Sequence, residues 1–259
     1  MQPFNPLKRF GQNYLQDQNI IKKIIDEINP KPDDTIVEIG PGKGALTKHL
    51  IDLSQNFSAV EIDTRAVEPL REMFPSLKLY NTDFLETNLA DFFSGNKIRV
   101  VGNIPYNITS PIIFKMIDSR QYVKDSVLMV QDEVAKRLTG KQGTKDYGIL
   151  SVILSFFGEV KYCFKVSSNV FYPKPKVDSA VIHIYFTKNI PDDIDDKLFI
   201  KIVKASFGNR RKTLKNSLKK SIFERYDFLE SGVDLSKRAE QLSVNDFVIL
   251  TKTIQQNYG

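Results

Sequence analysis

Apolar, β-branched segments recur along the chain up to residue 186, and helix-like patterns separate the early ones. Seven of these segments have the length and composition of strands: 35–40, 57–62, 77–83, 98–104, 125–131, 160–166 and 179–186. Five isoleucines between positions 20 and 28 form one apolar helix face ahead of the first strand. Alternating strands and helices predict a mostly parallel α/β sheet with both faces covered. The last two segments lack an intervening helix, which predicts an antiparallel pair at the end of the sheet.

The character of the chain changes after residue 186. Residues 187–196 are polar and acidic and contain a proline, as expected of a linker. Beyond them the pattern is helical, and Ser243 with Asp246 forms a capping box ahead of an apolar run. We therefore predict an α/β domain over residues 1–188 and a small all-helical domain over residues 189–259.

Composition narrows the class of protein. The 259-residue chain has a net charge of +6, which favours polyanionic partners such as RNA or DNA. The single cysteine, Cys163, excludes an internal disulfide, and with His49 and His183 it matches no zinc-ligand spacing, so we predict no metal. No N-terminal segment resembles a signal peptide, and none reaches the roughly 20 apolar residues of a membrane span. We expect a cytoplasmic protein, with a monomer as the default.

A glycine-rich loop follows the first predicted strand. It contains Gly40, Gly42 and Gly44, and a helix-like segment comes directly after it. Glycines let the backbone turn sharply and approach a ligand closely, and ligands of open α/β sheets bind beyond the carboxyl ends of the strands. The spacing differs from both the dinucleotide fingerprint and the P-loop. It argues against a nicotinamide-dependent dehydrogenase, whereas a tight turn without a ligand is the alternative for the loop alone.

Two acids at the ends of the next strands extend the candidate site. Glu61 ends the second strand, about 20 residues after the glycines, where a carboxylate can accept hydrogen bonds from both ribose hydroxyls. Asp83 ends the third strand, where a carboxylate can accept from an adenine amino group. Together with the glycine loop, the two acids point to one adenosine-shaped ligand. S-adenosylmethionine fits because it needs no phosphate site, and its product is S-adenosylhomocysteine.

The fourth strand ends in Asn103-Ile104-Pro105-Tyr106, the most specific short motif in the chain. The adenine amino nitrogen is a poor nucleophile because its lone pair is delocalised into the ring. The Asn103 side chain and the Ile104 carbonyl can accept the amino hydrogens, and Pro105 restricts the direction of that carbonyl. Tyr106 can stack on a flipped or single-stranded base. The motif predicts catalysis by positioning and electrostatics; a plain β-turn is the alternative.

Longer blocks of sequence carry a family resemblance. They cover residues 8–15, 38–44, 103–106, 171–181 and 207–218. On the basis of these blocks, the chain resembles the ribosomal RNA adenine N6-dimethyltransferases, and most closely the small-subunit dimethyltransferase A family. The resemblance extends over nearly the whole chain. The resemblance implies a Rossmann-like class I methyltransferase sheet of seven strands, mostly parallel with an antiparallel end, and a small C-terminal all-helical domain.

The resemblance also implies roles for the matched residues. Asn103 would lie between the cofactor and the target base, and Tyr106 and Phe171 would enclose that base. The residues expected at the cofactor are Gln12, Asn13, Leu15, Gly40, Gly42, Gly44, Glu61, Asp83 and Asn103.

For the substrate, the resemblance implies two adjacent adenines near the 3′ end of 16S rRNA, each methylated twice at N6 late in small-subunit assembly. A basic cluster on one predicted helix fits an RNA backbone better than it fits a solvated helix face. The residues expected to contact RNA are Lys8, Arg9, Arg210, Arg211, Lys212, Lys215, Lys219 and Lys220. Immature small ribosomal subunits are the expected partner.

Three alternatives stay open. The antibiotic-resistance methyltransferases resemble the same family but act on large-subunit RNA, and the blocks at 8–15 and 210–218 favour the small-subunit enzyme. DNA adenine methyltransferases usually carry two prolines in the catalytic motif, whereas Ile104 occupies the first of these positions here. A ribosome-assembly checkpoint that binds immature subunits, with methylation secondary, is compatible with the enzyme.

Overall fold

All seven predicted strands are present in the computed structural model, which describes residues 11–186, 188, 190–209 and 211–258. Two further strands, of two residues each, have no counterpart in the sequence patterns. In chain order the strands are β1 (Tyr14–Leu15), β2 (Thr35–Ile39), β3 (Asn56–Val60), β4 (Lys78–Tyr80), β5 (Ile98–Asn103), β6 (Val123–Gln131), β7 (Glu159–Val166), β8 (Phe171–Tyr172) and β9 (Ser179–Tyr185).

One seven-stranded sheet has the strand order β4-β3-β2-β5-β6-β9-β7. The pairs from β4 to β6 are parallel, whereas β9 runs antiparallel to β6. The central strand β2 is buried along its whole length, as its largely apolar pattern predicts for a strand inside a covered sheet. The prediction of a mostly parallel sheet with an antiparallel end is therefore confirmed. The short strands β1 and β8 form a separate antiparallel pair.

The helices connect and follow these strands. In chain order they are α1 (Gln18–Ile28), α2 (Thr47–Leu50), α3 (Thr64–Met73), α4 (Thr109–Asp118), α5 (Asp132–Leu138), α6 (Ile149–Phe157), α7 (Asp196–Phe207), α8 (Leu214–Lys219) and α9 (Val244–Tyr258). The isoleucine face of α1 is buried through Ile21, Ile24 and Ile28, and the Asp17 side chain caps its first turn. No helix in the described part of the chain is long and apolar enough to cross a membrane.

The chain divides into two compact units. The first comprises residues 1–135 and 161–187, and the second comprises residues 136–160 and 188–259. In the second unit the capping box ahead of α9 forms as predicted, because Asp246 N donates to Ser243 Oγ at 3.2 Å and Ser243 N donates to Asp246 Oδ2 at 2.7 Å. From residue 196 on, the described part of this unit contains the helices α7, α8 and α9.

The division differs from a single boundary near residue 188, because residues 136–160 belong to the second unit. The reason lies in α6, whose buried residues face every direction around the helix. Phe156 of α6 stacks on Phe199 of α7 with ring centroids 4.1 Å apart, and Phe157 meets the same ring edge-on. An apolar helix between two strands looks like a sheet-covering helix in sequence, so only its packing partner reveals the unit to which it belongs.

Candidate functional site

A cavity of about 260 Å³ lies at the carboxyl ends of β2, β3 and β5, where an open α/β sheet binds its ligands. Residues of the first compact unit line it throughout. The predicted site residues that line this cavity are Gln12, Asn13, Leu15, Gly40, Gly42, Glu61, Asp83, Asn103, Ile104, Pro105 and Tyr106. The structure therefore brings together residues that the sequence distributes over four strand ends and the N-terminal segment.

The glycine loop after β2 needs its glycines for conformation and for space. Gly42 has a positive φ of +56°, a region in which other residues are strained. A Cβ on Gly42 would stand 2.9 Å from Cε1 of Tyr14, so a side chain would also collide with the N-terminal segment. The loop can thus pass close to a ligand, and Tyr14, which packs against Gly42, lines the same cavity.

Glu61 fixes this loop from the end of β3. Its side chain is only 4% exposed. One carboxylate oxygen accepts from Gly42 N at 3.0 Å and the other from Asp63 N at 2.9 Å. A carboxylate offers about four acceptor positions, so these bonds leave capacity for two hydroxyl donors. Burial raises the pKa of Glu61, which is the expected response of a carboxyl that is removed from water.

Asp83, Ile62 and Phe84 also line the cavity. Asp83 lies three residues beyond the end of β4, and its carboxylate accepts from Leu85 N at 2.8 Å, which starts a short 3-10 turn. Ile62 directly follows Glu61 and is 44% exposed. Sequence reasoning missed Ile62 and Phe84; an apolar residue directly after the predicted ribose acid was the available signal.

Asn103 ends β5 and is held by the N-terminal segment. Its side-chain Nδ2 donates to the backbone carbonyl of Asn13 at 2.8 Å. A carbonyl can only accept, so this bond determines which amide atom is nitrogen and leaves Oδ1 as the acceptor on the other side. The geometry therefore supports the predicted role of Asn103 as an acceptor for amine hydrogens.

The rest of the catalytic motif follows directly. Ile104 is buried, and Pro105 is extended, with φ −59° and ψ 135°, and caps a 3-10 turn over Tyr106–Ile108. The Tyr106 hydroxyl forms a 2.8 Å hydrogen bond with the hydroxyl of Ser179. The motif is thus a rigid strand end that places one aromatic ring on the wall of the cavity.

The N-terminal segment crosses the cavity and is anchored at several points. The Gln12 side chain donates to Asp63 Oδ2 at 2.8 Å. The strand β1 pairs with β8, placing Tyr14 opposite Tyr172 and Leu15 opposite Phe171. These contacts explain why residues far from the sheet in sequence line the same cavity as its strand ends.

Two predicted site residues that the structure describes do not line this cavity. Gly44, with φ +76°, packs so closely on Phe74 that a Cβ would stand 2.6 Å from that ring, and its predicted contact with the cofactor stays a prediction. Phe171 is 5% exposed and belongs to the hydrophobic core cluster with Leu15 and Val166. Its predicted contact with the target base stays a prediction.

The predicted RNA-binding residues are only partly described. Lys8, Arg9 and Arg210 lie outside the described residues. The helix α8 buries Leu214 and Leu218, which turns its basic residues outward. The exposed members of the cluster are Arg211, Lys212, Lys215, Lys219 and Lys220. The helix itself is short, so Arg211 and Lys212 precede it rather than lying on it.

Glu38 is a further candidate that sequence reasoning did not single out. It lines the cavity from β2, is 2% exposed, and accepts a 2.6 Å hydrogen bond from Thr47 Oγ1. Burial, with a smaller contribution from nearby Glu61, raises its pKa to about 8. A charged residue inside an otherwise apolar strand, two residues before the glycine loop, was the available signal.

We expect Glu38→Gln to flatten the pH dependence of the free energy of unfolding. The folded carboxyl has a pKa of about 8 and the unfolded one about 4.5. The stabilisation is therefore complete below the unfolded value and is lost as the pH rises through the folded value. Urea denaturation from about pH 5 to about pH 9 should show a larger loss in the native protein than in the variant. Glu68→Gln, at an exposed carboxyl paired with Arg71, should keep the native slope; equal slopes for all three proteins would contradict the prediction.

No group of three or more metal-ligating side chains occurs within residues 11–186, 188, 190–209 and 211–258. The residues that line the cavity instead suit an adenosine with a positively charged tail. They include a buried carboxylate with free acceptor capacity, an exposed apolar side chain and a glycine loop without phosphate-binding chemistry. These features are those expected for S-adenosylmethionine.

Comparison with known proteins shows the family to which the chain belongs. The family model described as ribosomal RNA adenine dimethylase matches residues 4–256. A ribosomal RNA small subunit methyltransferase A of Chlorobium phaeobacteroides (strain BS1) is 45% identical over 96% of this chain and 93% of its own length. The crystal structure of a dimethyladenosine transferase from Plasmodium falciparum is 27% identical, with a TM-score of 0.77 over 93% of this chain and 97% of its own. The 23S rRNA methyltransferase ErmE is 26% identical, with a TM-score of 0.71 over 94% and 100%. The chain belongs to the ribosomal RNA adenine dimethylase family.

Proposed function

We propose that this protein dimethylates N6 of two adjacent adenines near the 3′ end of 16S rRNA, with S-adenosylmethionine as the methyl donor. The observation that carries the proposal is the orientation of Asn103. Its Nδ2 is bound to the Asn13 carbonyl at 2.8 Å, which leaves Oδ1 as the acceptor at the end of β5. An acceptor at this position is what an amino group with a delocalised lone pair requires.

The choice of the small ribosomal subunit rests on sequence similarity. The small-subunit relative from Chlorobium is 45% identical, whereas the 23S rRNA methyltransferase ErmE is 26% identical. Both similarities extend over nearly the whole chain, so the difference is not one of coverage. This contrast favours the small-subunit enzyme over the large-subunit alternative.

The residues of the chain act mainly by positioning the target base and the methyl donor rather than by acid–base chemistry. When bound, S-adenosylmethionine supplies a methyl group on a positively charged sulfur. In the first transfer, Asn103 Oδ1 and the Ile104 carbonyl accept the two amino hydrogens of the adenine, which draws the nitrogen towards a tetrahedral geometry and exposes its lone pair. After each transfer the methylated nitrogen releases one proton to water, and in the second transfer one amino hydrogen remains for these acceptors. Tyr106 stacks on the extracted base. Fixed acceptors of this kind need no reorganisation during the reaction, which is the source of their catalytic effect.

The exposed basic residues of the second unit give the RNA a docking surface. Arg211, Lys212, Lys215 and Lys219 are all exposed, and a dense set of Lys and Arg binds phosphates at many positions along an RNA. We assign this surface to the backbone of the small-subunit RNA in immature subunits, bound by one copy of the protein. The RNA contacts expected of Lys8, Arg9 and Arg210 stay predictions, since these residues lie outside the described ones.

The proposal is tested by methyl transfer from labelled S-adenosylmethionine to purified unmethylated small subunits, with large subunits and bare DNA as parallel substrates. The expected result is label in small-subunit RNA that is recovered as N6-dimethyladenine. Label in large subunits would assign the chain to the antibiotic-resistance branch instead. Binding of the cofactor and of immature subunits without any transfer would replace the enzyme by an assembly-binding role.

A further inference from the structure

A buried serine contacts the aromatic ring of the catalytic motif. The Ser179 hydroxyl lies 2.8 Å from the Tyr106 hydroxyl, and Ser179 is 0% exposed. Ser179 is the first residue of β9 and pairs with Gln131, the last residue of β6. Ser179 and Gln131 both belong to the central sheet, so the serine hydroxyl has a fixed position.

This hydrogen bond constrains the direction of the Tyr106 ring. The phenol oxygen lies on the axis through Cβ and Cγ, so anchoring it fixes where the ring axis points. Pro105 restrains the backbone directly before the ring, and Tyr106 begins a 3-10 turn. The ring is thus held at its backbone end by Pro105 and at its hydroxyl end by Ser179, while the residue lines the cavity.

The hydroxyl–hydroxyl contact persists at neutral pH. Burial raises the pKa of Tyr106, and the nearby carboxylate of Asp178 adds to this effect. The phenol therefore stays neutral and keeps its proton for the hydrogen bond.

We propose that Ser179 is a positioning residue that holds the Tyr106 ring at the place where it stacks on the target adenine. This inference rests on the proposed function, in which Tyr106 stacks on the base. A stacking surface that is already in place reduces the conformational freedom lost when the base is bound for attack. The serine acts through the tyrosine and does not itself contact the substrate.

The test removes the hydrogen bond from either side. Ser179→Ala and Tyr106→Phe each delete one hydroxyl and keep the ring and the strand. We expect each variant to lower the single-turnover rate of methyl transfer to unmethylated small subunits by about three- to tenfold, the usual effect of one hydrogen bond. The KM for small subunits and the affinity for S-adenosylmethionine should stay near native, because phosphate contacts dominate RNA affinity. The double variant should be no slower than either single variant, since both remove the same bond.

The matched control is Ser126→Ala. Ser126 is also 0% exposed and lies on β6, but its hydroxyl has no hydrogen-bond partner among the residues that the structure describes. This variant should keep the native rate. If Ser179→Ala behaves like Ser126→Ala, or if the two rate losses multiply in the double variant, Ser179 does not position Tyr106.

Tyr106→Ala separates this inference from the proposed function. A large loss of rate in Tyr106→Ala together with a native rate in Ser179→Ala would overturn only the positioning role. A native rate in Tyr106→Ala would remove the tyrosine from the proposed mechanism, and the inference would fall with it.

Discussion

Glu61→Ala is expected to weaken binding of S-adenosylmethionine about 100- to 1000-fold, because two hydrogen bonds to a charged acceptor are lost. Glu61 has one backbone N–H on each carboxylate oxygen, at 3.0 Å from Gly42 and 2.9 Å from Asp63. The remaining acceptor positions suit the two hydroxyls of a ribose. The same change also frees the glycine loop, so the substitution removes both the ligand's acceptor and the support of the loop that passes it.

Isothermal titration calorimetry with S-adenosylmethionine measures this effect, and thermal unfolding reports separately on the fold. Glu68→Ala is the matched control, since Glu68 is an exposed acid of α3 that pairs only with Arg71 among the ion pairs described. It should bind like the native protein. An affinity of Glu61→Ala within threefold of native would show that Glu61 does not hold the ribose.

Asn103→Ala is expected to lower the single-turnover rate of methyl transfer about 100- to 1000-fold, the range measured when one preorganised polar group is removed from a catalytic site. The affinity for S-adenosylmethionine should fall far less, because the acceptor acts on the amino group of the adenine. A loss in rate that exceeds the loss in binding identifies an interaction made mainly in the transition state.

Asn103→Asp sharpens this test. Aspartate keeps an acceptor but cannot donate to the Asn13 carbonyl, the bond that orients the amide at 2.8 Å. We therefore expect this variant to stay well below the native rate. Asn19→Ala, on the exposed surface of α1, is the control and should be fully active. An unchanged rate in Asn103→Ala would exclude the residue from the chemistry.

The features of the fold that could be predicted from the sequence are those that depend on short-range residue patterns. Each strand of the main sheet carries its own apolar, β-branched segment, and a buried parallel strand needs little else to be identified. The glycine loop and the Asn103–Tyr106 motif follow directly from strand ends, so their meeting at one edge follows from the parallel sheet itself. The strand bounds were less accurate: the third strand ends at Tyr80, which places Asp83 in a loop.

The sequence patterns could not predict contacts between residues that lie far apart in the chain. The strands β1 and β8 have two residues each, too few for any periodicity, and yet their pairing brings the N-terminal segment to the cavity. Phe171 is an aromatic in a block that carries the family resemblance, and its partner Leu15 and the core around it decide that it is buried. A single aromatic carries no local information about which side of a short strand faces a ligand.

Buried charged residues likewise depend on contacts that the sequence patterns could not predict. Arg99 lies on β5 with only 7% of its side chain exposed, and it is paired with Asp125 at 2.8 Å and Asp34 at 2.7 Å. In sequence, Arg99 and Asp125 are charged residues near the starts of apolar strands, with Lys97 and Lys124 close by. Only the adjacency of β5 and β6 brings them together, and an arginine so deeply buried needs such partners.

The class of sheet, the succession of strands along the chain and the types of residue at the strand ends could be predicted from sequence, because these depend on residue type and spacing within a few residues. The packing of α6 with the C-terminal helices, the orientation of Asn103 by Asn13 and the contact of Ser179 with Tyr106 could be seen only in the folded protein. Each of these depends on contacts between residues far apart in the chain, for which the local pattern of either partner carries no record.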